Sequence, residues 1–148
     1  MEQQTRKQTE EALAEIYRNA QLAIQSIVDI TPLVEDEQVK TELASQHEEY
    51  ERICARAAVL AKDKGIALKE PNFMKKAMMW GSIKMSALTD NSRPHIADMM
   101  LQGTVMGITA LRKTKSELSI EGDDEIITLL DDMLAMEEKF EKVWKEYL

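Results

Sequence analysis

The C-terminal stretch of the chain decides the fold: residues 123–147 read DDEIITLLDDMLAMEEKFEKVWKEY. Inward positions recur in this stretch at alternating spacings of three and four residues, the pattern of a helix that packs along a seam. These positions are Ile126, Leu130, Met133, Glu137, Phe140, Trp144 and Tyr147. Acidic residues begin the stretch and lysines end it, an order that the helix macrodipole favours. We therefore predict a long final helix that packs against other helices.

Three further long helices are predicted upstream from the same periodicity. They span residues 8–30, a segment from residues 35–36 to the cap residue Gly65, and residues 93–117. The predicted inward stripes are Leu13, Ile16, Tyr17, Ala20, Ile24, Ile27 and Val28 in the first helix, and Val39, Leu43, His47, Tyr50, Cys54, Ala57 and Ala61 in the second. In the third helix, small residues at helical spacing (Gly103, Gly107, Ala110) predict a close approach of another backbone.

Length and composition restrict the fold class. The 148 residues match the size of one domain, 1–148, and contain only five glycines and three prolines. Sandwiches, barrels and α/β folds need many more turn-forming residues. We predict an all-α fold, an antiparallel four-helix bundle with an additional short helix at about 73–88, before the third long helix.

The charge balance and the apolar runs restrict location and partners. The net charge is −8, so the chain lacks the basic excess with which nucleic-acid-binding proteins neutralise phosphate. The N-terminus has no apolar signal-peptide core, and no apolar run approaches the length of a membrane span. We expect a soluble cytoplasmic protein. The middle of the chain is basic and both ends are acidic, which indicates charge complementarity between packed helices.

The motifs of common enzyme classes are missing from the sequence. It has no Gly-rich phosphate loop, no G-x-S-x-G and no H-E-x-x-H, and its single cysteine, Cys54, excludes multi-cysteine metal sites. We predict no catalytic residues and no cofactor. The expected function is binding or assembly without catalysis, as a homo-oligomer.

The alternative to this function is a carboxylate and histidine metal site. His47 and Glu51 share a helix face, and Glu137 points at the seam of the last helix, so these three are the candidate ligands for iron, manganese or zinc. Di-iron bundles use Glu-x-x-His. Ala44 and Ser92 stand where that motif needs its glutamates, so we expect no stoichiometric di-iron centre.

Two stretches carry a resemblance to a known superfamily. His47-Glu48-Glu49-Tyr50 in the second helix and His95-Ile96-Ala97-Asp98-Met99-Met100 in the third, between long helices, resemble the ferritin-like four-helix bundles. The resemblance covers residues 8–147 and is to small bacterial members that lack Glu-x-x-His. It implies a bundle whose di-iron centre has been lost or rebuilt, so ferroxidase or oxygenase activity is not transferred to this chain.

Glu137 needs a specific environment if it is buried. An isolated buried carboxylate is costly, so it must be protonated, hydrogen-bonded, paired or metal-bound. One interpretation gives it a partner such as Tyr17, His47 or Arg52. Another shifts the register so that Met136 turns inward and Glu137 lies at the rim, and a third makes it a metal ligand.

The short predicted helix is a candidate interaction surface. Its apolar residues Phe73, Met74, Met78, Trp80 and Met85 stand among three lysines. Basic amphipathic helices bind membranes or partner proteins, so this surface could meet a protein partner, a membrane surface or another subunit. The alternative is that the segment covers one end of the bundle and buries Trp80.

Overall fold

The chain folds into four long helices. The computed structural model describes residues 2–69, 87–118 and 124–148. The helices are α1 (Glu2–Ile30), α2 (Glu37–Lys64), α3 (Arg93–Glu117) and α4 (Asp124–Glu146). A 3-10 turn, Thr31–Leu33, joins α1 to α2, and residues 87–89 are helical. The described ranges contain no strand. The predicted all-α bundle is confirmed, whereas most of the short helix predicted at 73–88 lies outside the described residues.

The ends of α2 are capped as the sequence indicates. Asp36 accepts a hydrogen bond from the backbone N–H of Val39 at 3.1 Å, which satisfies a donor in the first turn. Gly65 has a φ of 66°, the left-handed conformation that glycine adopts without strain. Its N–H contacts the carbonyls of Ala61 and Lys62, and this ends the helix.

Neighbouring helices run antiparallel. Along the α2–α4 contact, Lys139 pairs with Glu49 at 3.3 Å and Arg56 pairs with Asp132 at 2.8 Å, so residue numbers rise on one helix as they fall on the other. Ion pairs join α3 to α4 in the same sense, among them Lys115 with Asp131 at 2.7 Å. The complementarity expected between the basic middle and the acidic C-terminal part is present here.

A long connection links α2 to α3. The end of α2 lies beside the start of α1, where Arg6 donates to the carbonyl of Lys64 at 3.4 Å. The start of α3 lies at the other end, where the guanidinium of Arg93 binds both carboxylate oxygens of Asp36 at 2.7 and 3.1 Å. Residues 65–92 therefore connect opposite ends of the bundle, and α2 and α3 run parallel, each with α1 and α4 as neighbours.

The seam of α4 is as predicted, and that of α2 is shifted. On α4 the predicted positions from Ile126 to Trp144 are buried. The buried residues of α2 are Val39, Leu43, Gln46, Tyr50, Ile53, Ala57 and Ala61, so Gln46 and Ile53 take the innermost positions predicted for His47 and Cys54. Cys54 is partly buried and packs against the core, whereas the inward placement of His47 was wrong. Alternating steps of three and four follow the helical repeat and reach Gln46 and Ile53.

The buried amide of Gln46 is satisfied on both sides. Its Oε1 accepts a hydrogen bond from the indole Nε1 of Trp144 at 3.2 Å, and its Nε2 donates to Glu42 at 3.0 Å. A buried polar group is tolerated when its hydrogen bonds are made. On α1 the inward placement of Val28 was also wrong, because Val28 is 47% exposed and Ile30 is buried instead.

Candidate functional site

A carboxyl group lies inside the bundle. Glu137 on α4 is 3% exposed and lies on the buried seam between Met133 and Phe140. Few glutamates are this deeply buried, because an ionised carboxylate loses its hydration in the core. The inward position predicted for Glu137 is confirmed, and the register shift to Met136 is not needed.

The hydrogen-bond partner of Glu137 is Tyr50 on α2. The Tyr50 hydroxyl donates to the Glu137 carboxyl, and its ring packs against Phe140 with the ring centroids 5.4 Å apart. The sequence suggested a partner such as Tyr17, His47 or Arg52, and the structure gives Tyr50 in place of the two candidates on α2. The reason is the shifted seam of α2, which places Tyr50 inward, leaves His47 half-exposed and turns Arg52 to solvent.

Besides α4 with Glu137 and α2 with Tyr50, the site is formed by α3 at Gly107. A Cβ at this position would lie 2.7 Å from Oε2 of Glu137 and 3.1 Å from Oε1. Glycine therefore makes the space that the carboxyl group occupies. The sequence predicted that small residues here admit another backbone, but a side chain fills the space at Gly107. At Gly103 a Cβ would meet nothing within 4 Å.

Burial changes the protonation of this pair. It raises the pKa of Glu137 from 4.5 to about 8, and the hydrogen bond from Tyr50 acts in the opposite direction. The pKa of Tyr50 is raised well above its usual value by burial, with a further contribution from Glu137. Both groups are therefore mainly neutral at pH 7, and the arrangement holds one titratable proton within the core.

The three predicted metal ligands are not brought together. His47 Nε2 and Glu51 Oε1 are 3.7 Å apart on the surface of α2, whereas Glu137 faces the core. Within residues 2–69, 87–118 and 124–148 there is no group of three or more His, Cys, Asp or Glu side chains able to hold a metal ion. The single ligand set of His47, Glu51 and Glu137 is therefore not formed, because His47 lies off the inward stripe.

A shallow surface groove lies between α1 and α3. It has a volume of about 290 Å³, and its walls come from α1 between Gln8 and Arg18 and from the end of α3 between Thr114 and Leu118. Arg18 is ion-paired with Glu15 on the same helix. The lining mixes charged and polar side chains with Ala14 and Leu118, and it does not include Gly107.

The predicted interaction surface of Phe73, Met74, Met78, Trp80 and Met85 lies outside the described residues. The described part of the chain offers another apolar surface that the sequence reading missed. Val105 and Met106 on α3 are 41% and 72% exposed. A helical wheel anchored on the buried Ile108 and Leu111 places Met106 outward, whereas Val105, three residues before Ile108, lies at the edge of the buried face.

Comparison with known proteins supplies no relative. No protein-family model, no curated protein and no solved structure matches the chain. None of the described helices is long and apolar enough to span a membrane.

Proposed function

We propose that this chain is a non-catalytic helical bundle that acts in binding or assembly, as a homo-oligomer. The observation that carries the proposal is the exposed pair Val105 and Met106 in the middle of α3. Apolar surface in contact with water favours association, and a contiguous apolar patch indicates a contact site more strongly than a single exposed side chain does.

The surroundings of this pair support the proposal. Gly103, one turn before Met106, has open space at its Cβ position, so another chain can approach the helix closely there. The unbranched side chain of Met106 adapts to the shape of a partner surface. Packing inside the bundle does not explain Met106, since the buried Ile108 and Leu111 lie on the opposite side of the helix from it. Val105, one turn before Ile108, lies at the edge of the buried face.

Replacement of Met106 tests this proposal. We expect the wild-type chain to sediment with a mass that is a multiple of 16.9 kDa, and Met106→Asp to shift the mass towards that of one chain. A charge placed in an apolar contact loses hydration without gaining a partner. The matched control is Val59→Asp on α2, where the side chain is 59% exposed, and it should keep the wild-type mass. Equal masses for both variants would count against the proposal.

A second proposal is a ferritin-like bundle that holds a metal through Glu137. Two observations favour it: the buried carboxyl group on α4, and the single long connection between the parallel helices α2 and α3. Ferritin-like folds have one such crossover and place carboxylate ligands inside the bundle. Glu137 must lose its proton to bind a cation, so the affinity should rise as the pH passes about 8.

Metal analysis of protein purified without an affinity tag separates the two proposals. The second proposal expects iron, manganese or zinc in a fixed ratio to the chain, lost in Glu137→Gln and kept in the neighbouring control Glu138→Gln. The first proposal expects less than one metal ion per chain in all three proteins. Two tightly bound iron or manganese ions per chain, lost when His47 or Glu51 is replaced, would overturn the first proposal.

A further inference from the structure

The outer face of α3 has a symmetric order of side chains. Val105 and Met106 stand at its centre, and Gln102 and Thr109 lie three residues before and after this pair. Asp98 lies seven residues before Val105, and Lys113 lies seven residues after Met106. All six side chains are exposed. At 100° per residue they lie within about 100° of one another around the helix, so they form one stripe.

This order suits pairing of the helix with a copy of itself. A two-fold axis between Val105 and Met106 sets each side chain opposite its counterpart across the centre. The apolar pair then meets the apolar pair, Gln102 meets Thr109, and Asp98 meets Lys113. A parallel pairing would instead set Asp98 against Asp98 and Lys113 against Lys113, and like charges repel.

The charges at the two ends of the stripe are available for such a contact. The other basic residues of this part of α3, Arg112 and Lys115, pair with Glu138 and Asp131 of α4. Within the described residues, Asp98 and Lys113 form no ion pair, and Asp98 accepts only a hydrogen bond from Gln102 at 3.0 Å.

We propose that α3 is the contact between two copies of this chain, paired antiparallel about a two-fold axis between Val105 and Met106, with Asp98 of each copy beside Lys113 of the other. This inference rests on the proposed assembly function and adds its geometry. Asp98 and Lys113 lie about 11 Å from the axis, so they meet only if the helices cross at a shallow angle, such as the roughly 20° of coiled-coil packing.

The contact is small. It consists of one helix stripe of about four turns on each chain, whereas stable complexes usually bury roughly 1,200–2,000 Å² in total, so we expect a weak dimer. The dimer therefore dissociates on dilution, and its affinity responds to the two ion pairs and to salt.

Charge exchange tests the pairing. In Asp98→Lys and in Lys113→Asp, each dimer would hold two like-charged contacts, so we expect dissociation constants raised about tenfold. The double variant Asp98→Lys/Lys113→Asp restores opposite charges and should return to the wild-type value. An equimolar mixture of the two single variants should form heterodimers more tightly than either variant forms homodimers. Sedimentation velocity at low salt measures all five samples, and circular dichroism checks that each variant keeps its helix content.

The outcomes distinguish this geometry from assembly in general. Single variants that associate like the wild type, or a double variant no tighter than the singles, would overturn the antiparallel α3 contact and leave the proposed assembly intact. A wild-type chain that stays a monomer at every concentration would overturn both.

Discussion

Between pH 4 and pH 7, we expect Glu137 to lower the free energy of unfolding of the wild type by about 3 kcal/mol. In the Glu137→Gln variant this contribution to the pH dependence should be absent. Burial holds the pKa of Glu137 at about 8 in the folded chain, against 4.5 for a solvated glutamate. The folded chain therefore binds more protons than the unfolded chain over this interval. Its stability is fully present below pH 4.5 and falls as the pH rises towards 8.

The difference between wild type and variant isolates this one group. Urea unfolding at a series of pH values gives the free energy of each protein, and the wild type should fall relative to Glu137→Gln as the pH rises. The control Glu138→Gln changes an exposed neighbour that pairs with Arg112, so its difference from wild type should stay within about 1 kcal/mol at each pH. A flat difference for Glu137→Gln would mean that this carboxyl group ionises as freely in the folded chain as in the unfolded one.

Gly107→Ala is expected to destabilise the chain by about 1–3 kcal/mol, although the same change inside a helix usually stabilises by about 0.5–1 kcal/mol. The added Cβ would lie 2.7 Å from Oε2 of Glu137, and this carboxyl group is enclosed by the core. The carboxyl group must move and weaken its hydrogen bond with Tyr50. The measurement is again the free energy of unfolding in urea.

Gly103→Ala is the matched control, one turn away on the same helix. A Cβ there meets nothing within 4 Å, so we expect stabilisation of about 0.5–1 kcal/mol. In a Glu137→Ala background the space beside Gly107 is free, and Gly107→Ala should lose its cost there, because the two positions are coupled only through contact. The same sign of change at both glycines in the wild-type background would contradict this packing of the carboxyl group.

The periodicity of α4 predicted the burial of Glu137, because strict steps of three and four leave one inward face. The same rule, applied loosely to α2, gave His47 in place of Gln46. The partner of Glu137 could not be predicted from the sequence, for a different reason. Periodicity gives the inward face of a helix but not its axial alignment with a neighbour, and that alignment sets Tyr50 and Gly107 beside the carboxyl group.

The sequence did not indicate the exposed apolar residues of α3, because apolar residues occur on several sides of that helix. Met99, Met100 and Leu101 follow one another in the sequence, so its inward stripe does not stand out. The packed structure separates buried residues such as Ile108 from the exposed Val105 and Met106. The short segment at 73–88 remains a predicted interaction surface, and its residues lie outside the described ranges.

Self-association is the central claim, and the mass of the wild-type chain in solution tests it most directly. Sedimentation equilibrium over a wide range of concentrations should show a species of twice 16.9 kDa that gives way to the single chain on dilution. A single species of 16.9 kDa at every concentration would contradict the claim.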